Sequence, residues 1–129
     1  MRTVKKSAVV LVGLAAAAAT FSSISPSSAY AKLPSRIISL SPSATEDLFA
    51  IGAGKQVVAV DSLSNFPANA PMTKLDAFTP NVEAITKYKP DLVILQSSAT
   101  KAQSVKSALE SLKIKVYFEV TPSDLAGAY

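Results

Sequence analysis

The sequence predicts an α/β fold, a small parallel sheet of about four strands with flanking helices. Three observations carry that expectation. Short aliphatic clusters at residues 37–40, 57–60, 92–95 and 116–120 are continuous rather than alternating, as in strands covered on both faces. The segments between them carry helical spacing instead. Chain breakers fall at the junctions, with Gly52 and Gly54 after one helical stretch and Pro90 before the third strand. Strands alternating with helices build βα units and a parallel sheet.

The first 31 residues stand outside this pattern. Arg2, Lys5 and Lys6 form a basic start, residues 8–19 an apolar run, and Ala29-Tyr30-Ala31 a small-residue cleavage site before Lys32. This is the plan of a secretory signal peptide, and its apolar run is short against the roughly 20 residues of a spanning helix. The expectation is a secreted, periplasmic or cell-surface protein whose signal, residues 1–31, is removed. The sequence has no cysteine, so it offers neither a disulfide framework nor a lipid-bearing cysteine. Removal leaves 98 residues, enough for one small domain, and takes three of the 13 basic residues and none of the nine acidic ones. The net charge falls from +4 to +1.

In the remaining chain, Ile37, Ile38 and Leu40 supply the first strand, and Ser41-Pro42-Ser43 breaks it. Two helix starts overlap there: Ser41 as cap with Pro42 following, or Ser43 as cap with Glu46 closing a capping box. Ala44, Leu48 and Ile51 mark the buried stripe of that helix. After the strand at 57–60, residues 61–78 are rich in Pro, Asn and Ser and have no clear period. They read as a long loop, which inside a compact domain is usually functional. Thr79-Pro80-Asn81 opens a short helix holding Val82 and Ile85. Val105, Ala108, Leu109 and Leu112 give an amphipathic stripe for the last helix. Lys87 and Lys89 at a helix end, and Lys113 and Lys115 at a strand start, suit solvated positions.

Several function classes drop out. The sequence has no histidine, so Ser-His-Asp and Cys-His sites and the usual zinc sets are absent. No G-x-G-x-x-G or P-loop motif supports a nucleotide cofactor. The lysines are scattered without interleaved aromatics, so no nucleic-acid partner is expected. Asp61, Asp76, Glu83 and Asp91 lie at no spacing that demands pairing, and the expectation is a protein that is not an enzyme. What remains is a cluster of serine hydroxyls and free backbone N–H groups after the first strand, where open α/β sheets bind ligands.

Four motifs follow one another in fixed order: residues 36–52, Asn65-Phe66-Pro67 with Ala70, Pro80-Asn81-Val82-Glu83-Ala84-Ile85, and Lys89-Pro90-Asp91-Leu92-Val93. Over roughly residues 35–125 the chain resembles the amino-terminal lobe of periplasmic binding proteins of the vitamin B12 and iron–siderophore class, which feed ABC importers. The resemblance implies two α/β lobes joined by a long helix, with the ligand, a corrinoid or ferric siderophore, in the cleft between them. It implies that loops after the strands face the cleft, which places Ser41, Ser43, Asp61, Ser62, Phe66, Gln96 and Ser97 against the ligand. Phe78 falls near an aromatic that packs on cobalamin in such proteins; the other reading is a core plug beneath the loop. For Phe66, before Pro67, the plainer reading of a loop anchor is the stronger one.

The same resemblance implies that Glu83 docks onto arginines of the membrane permease, against the plainer reading of a first-turn glutamate held by the helix dipole. Leu63 and Asn65 depart from the tyrosine and aspartate that such proteins often carry. The expected organisation is a signal peptide at 1–31, an α/β lobe at 32–122 and the start of the interlobe helix at 123–129, capped by Ser123. The second lobe is missing, which reads as a truncated product. Two rivals stand beside this reading: a stand-alone secreted lobe acting as an interaction module, and a hydrolase using carboxylates.

Overall fold

The computed structural model describes residues 32–120 and residue 122. The expected signal peptide at 1–31 and the expected helix start at 123–129 lie outside the described residues. The elements run β1 (Ile37–Leu40), α1 (Pro42–Ala50), a 3-10 turn (Ala53–Gln56), β2 (Val57–Asp61), β3 (Met72–Leu75), α2 (Val82–Thr86), β4 (Leu92–Gln96), α3 (Ala102–Ser111) and β5 (Lys115–Glu119). The strands form one parallel sheet in the order β3-β2-β1-β4-β5. The α/β class holds, with five strands instead of about four. The extra one is β3, inside the stretch expected to be irregular. It is an edge strand that buries only Leu75, and Val60 N–H to the Pro71 carbonyl at 3.0 Å and Ser62 N–H to the Leu75 carbonyl at 3.0 Å hold it to β2.

β1 lies at the centre and all four of its residues are buried. Its alternation divides the core. Ile38 and Leu40 join Ala59, Leu75, Val93 and Leu95 against Ile85 of α2 and Val105 and Leu109 of α3. Ile37 points to the other face, packing with Ala44 and Leu48 of α1 and with Ile94. Both faces of the central strands are thus covered, which is why their sequences are continuous apolar runs.

The helix boundaries decide details that spacing left open. Ser41, in extended conformation, caps α1 by accepting the Ala44 N–H at 3.4 Å, and Pro42 is the first helical residue. Glu46 is exposed. Ile51, expected on the buried stripe, lies past the helix end and is 77% exposed. Gly52 there has φ +83°, a left-handed turn that glycine adopts without the steric cost of a Cβ. In α3 the buried stripe is Ala102, Val105 and Leu109; Ala108 and Leu112 face outward, Leu112 because it is already the cap residue. No helix among the described residues is long and apolar enough to cross a membrane.

Candidate functional site at the carboxyl edge of the sheet

Connections leave β1 toward β2 on one side and reach β4 from β3 on the other, so the strand order reverses between β1 and β4. A parallel sheet opens a crevice at such a point, beyond the carboxyl ends of its strands. Ser41 and Ser43 stand there at the end of β1, and Gln96 and Ser97 at the end of β4. Asp61 and Ser62 end β2 beside them. Phe66 lies on the loop that follows, and Phe78 on the loop after β3. The topology therefore gathers the eight expected ligand residues along one edge of the sheet.

They differ sharply in burial. Ser41 and Asp61 are fully buried, together with Ser39 and Thr45, and Ser64 is almost so. These five make a polar floor. Thr45 Oγ1 lies 2.8 Å from the Ser41 carbonyl oxygen, 2.9 Å from Ser39 Oγ and 3.2 Å from Ser64 Oγ. The Ser64 hydroxyl donates to Asp61 Oδ2 at 2.6 Å, and the Leu63 N–H to Oδ1 at 2.8 Å. Both oxygens of Asp61 are thereby engaged by its own loop. Burying polar groups costs little only when they are paired in this way.

The rim is open. Ser43, Ser62 and Ser97 are exposed, Phe66 is 61% exposed and Phe78 is 54% exposed. The Phe78 side chain therefore does not plug the core. Its backbone is fixed instead: Asp76 Oδ1 accepts the Phe78 N–H at 2.7 Å and the Thr79 N–H at 3.0 Å, and the Phe78 carbonyl accepts the Thr100 N–H at 2.7 Å. Hydrogen bonds from Thr79 and then Phe78 hold the Asp76 carboxyl below the usual aspartate range. An anchored backbone with a solvent-facing ring is a platform against which a flat apolar ligand can stack.

One residue of this edge was missed in the sequence. Glu119, the last residue of β5, accepts hydrogen bonds from the hydroxyls of both Ser41 and Ser43. The available signal was a lone carboxylate ending a strand of an α/β sheet, the position where such sheets present ligand groups.

Glu83 stands near this edge in the first turn of α2, after the Asn81 side chain caps the helix by accepting the Ala84 N–H at 2.9 Å. It is 85% exposed and lies 3.8 Å from Lys87 Nζ. Concavity does not single out the carboxyl edge. A hollow of about 440 Å³, lined by Phe49, Gly52, Lys55 and Pro71 among others, lies at the strand-start edge, and polar groups and topology mark the site better. Among the described residues, no group of three or more Asp, Glu, His or Cys side chains could hold a metal ion.

The family described as periplasmic binding protein matches residues 37–125. The chain belongs to the periplasmic binding protein family. This periplasmic binding protein is 36% identical over 90 residues to the vitamin B12-binding protein of Vibrio vulnificus, a match covering 68% of this chain and 33% of that protein. It is 36% identical over 83 residues to an uncharacterized ABC transporter substrate-binding lipoprotein, YvrC, of Bacillus subtilis, covering 64% of this chain and 26% of the relative. The crystal structure of a possible iron-binding, periplasmic solute-binding protein of Staphylococcus epidermidis superimposes with a TM-score of 0.66 at 31% identity, covering 74% of this chain and 38% of that one. The chain spans about a third of the length of the curated relatives it matches. The family is one of solute-binding transport proteins, not an enzyme class, and its five-stranded parallel sheet matches a lobe of such proteins.

Proposed function

We propose that the chain is the amino-terminal lobe of an extracytoplasmic solute-binding protein, supplying one wall of a cleft that holds a corrinoid or ferric siderophore for delivery to an ABC permease. The observation that carries this reading is the carboxyl edge itself: a satisfied polar floor, an exposed hydroxyl rim and two exposed phenylalanines at the reversal of strand order, in a chain of this family. The relative named for vitamin B12 and the structural neighbour named for iron supply the two solute classes.

Residues 1–31 act as a removable export signal in this reading, residues 32–122 form the lobe, and residues 123–129 begin the interlobe helix. With no cysteine in the sequence, no lipid-bearing cysteine tethers the protein. Ser43, Ser62, Phe66, Phe78, Gln96 and Ser97 meet the ligand, while buried Ser41 and Asp61 hold them in place. Glu83, exposed on the first turn of α2, docks to permease arginines through charge-assisted hydrogen bonds.

Equilibrium dialysis of the exported chain against cyanocobalamin or ferrichrome tests the proposal. One wall without its partner forgoes half the buried surface and the closure step, so the expected Kd is weaker than about 10 µM. Ligand at saturating concentration raises the melting temperature by linkage. Absence of both binding in dialysis and a thermal shift, with either compound at millimolar concentration, would refute the proposal.

A further inference from the structure

We propose that Glu119 is a specificity-determining residue of the cleft, selecting a ligand fringed with neutral N–H donors, such as carboxamides, over one that presents carboxylates. The inference rests on the solute-binding reading above and narrows it. The amino end of α1 is the natural anion position of this edge, because the positive end of the helix dipole lies there. In this chain the protein fills that position itself. Glu119 reaches from the end of β5 to the first turn of α1, and its two oxygens accept from Ser41 and Ser43.

That arrangement reverses the polarity of the crevice. An ionised carboxylate has about four acceptor sites and no donor. With one site on each oxygen engaged by a serine, the remaining lone pairs are free to accept from a ligand. Asp61 does not compete for this role, because it is fully buried with both oxygens bonded to its own loop, and Asp76 holds the Phe78 and Thr79 backbone through Oδ1. Lys101 is the one cation on the strand-end loops among the described residues, and it lies at the start of α3, outside the Ser41–Ser43–Glu119 cluster. A ligand amide N–H at Glu119 thus makes a charge-assisted bond. A ligand carboxylate there meets a like charge and finds the helix terminus already taken.

Cyanocobalamin tests this directly, because hydrolysis of one peripheral propionamide gives a monocarboxylic acid of nearly the same shape. Dialysis of the exported chain should show the amide form binding at least about tenfold more tightly than a monocarboxylate isomer whose acid group faces the lobe, with the isomers tried in turn. Glu119→Gln, which keeps size and one acceptor oxygen, should bring that ratio to within about threefold. Circular dichroism confirms that the variant folds. If it does not, the wild-type ratio alone decides: monocarboxylates that all bind as tightly as the amide overturn the inference. A tenfold ratio that survives in a folded Glu119→Gln protein overturns it too. Absence of any cyanocobalamin binding by the wild-type chain sinks the corrinoid reading first and this inference with it, so the two failures are distinguishable.

Discussion

Replacing Asp61 with alanine separates a structural from a ligand-touching role for the buried carboxylate of the site. Asp61 is fully buried, and its oxygens accept from the Leu63 N–H at 2.8 Å and the Ser64 hydroxyl at 2.6 Å. Hydrogen bonds to charged groups contribute about 1.5–3 kcal/mol each, and an unsatisfied buried donor costs a similar amount. The buried Ser64 hydroxyl accepts from Thr45 Oγ1 at 3.2 Å, so removing Asp61 leaves its O–H without an acceptor. The Leu63 N–H, on a residue that is 54% exposed, can turn to water. A loss of about 3 kcal/mol is expected. Domains of this size hold roughly 5–15 kcal/mol in total. At about 4–8 °C per kcal/mol the melting temperature should fall by roughly 12–24 °C. Asp61→Asn, which preserves shape and one acceptor, should cost about half as much. Thermal and urea unfolding followed by circular dichroism measure both. An Asp61→Ala protein melting within about 4 °C of wild type would refute the reasoning, since the carboxylate would then not hold the loop.

Three further outcomes follow from the same geometry. Glu83→Lys should abolish uptake in cells carrying the complete transporter while leaving the melting temperature of the lobe within about 2 °C, because the exposed pair with Lys87 contributes little; unchanged uptake removes the docking role. Phe78→Ala should weaken cyanocobalamin binding about tenfold in dialysis without lowering stability, since the ring is 54% exposed; an unstable variant would instead restore it to the core. Asp76 should titrate below the ordinary aspartate range by carboxyl-carbon NMR, because the Thr79 and Phe78 N–H groups hold its charged form. Its folded value is depressed, so its stabilising contribution is present above the unfolded pKa and disappears as pH falls through the folded one. In Asp76→Asn that acid-side loss should be absent, and an unaltered acid limb of the stability curve would contradict it.

The central strands were legible because burial on both faces leaves an unbroken aliphatic run, as at Ile37-Ile38 and Val93-Ile94-Leu95. β3 was not, because Met72-Thr73-Lys74-Leu75 sits at the sheet edge with one buried side chain and reads as polar loop. Spacing placed Ile51 and Leu112 on buried stripes, but each follows the last residue of its helix, and periodicity does not announce where a helix stops. The choice between Ser41 and Ser43 as cap depended on which residue the strand leaves extended, a fact of tertiary placement. Glu119 was the least legible of all: its partners are 76 and 78 residues away, and only the strand order brings them together.

The division between floor and rim has a consequence for how this site could evolve new ligands. Among the described residues, no buried side-chain polar atom lacks a hydrogen-bond partner. Ser39, Thr45, Asp61 and Ser64 therefore have nothing to lend a ligand without breaking bonds that hold β1, α1 and the loop after β2 in register. Ser62, Phe66, Phe78 and Ser97 carry no such obligation, so under the proposed function substitutions there should change what is bound at little cost to folding. Glu119 and Ser43 belong to neither class. They are partly or largely accessible, yet bonded to each other across the sheet, so a change at either moves the charge facing the solute without disturbing the core. Selectivity should therefore be tunable at that pair, while the floor stays fixed by its own hydrogen bonds.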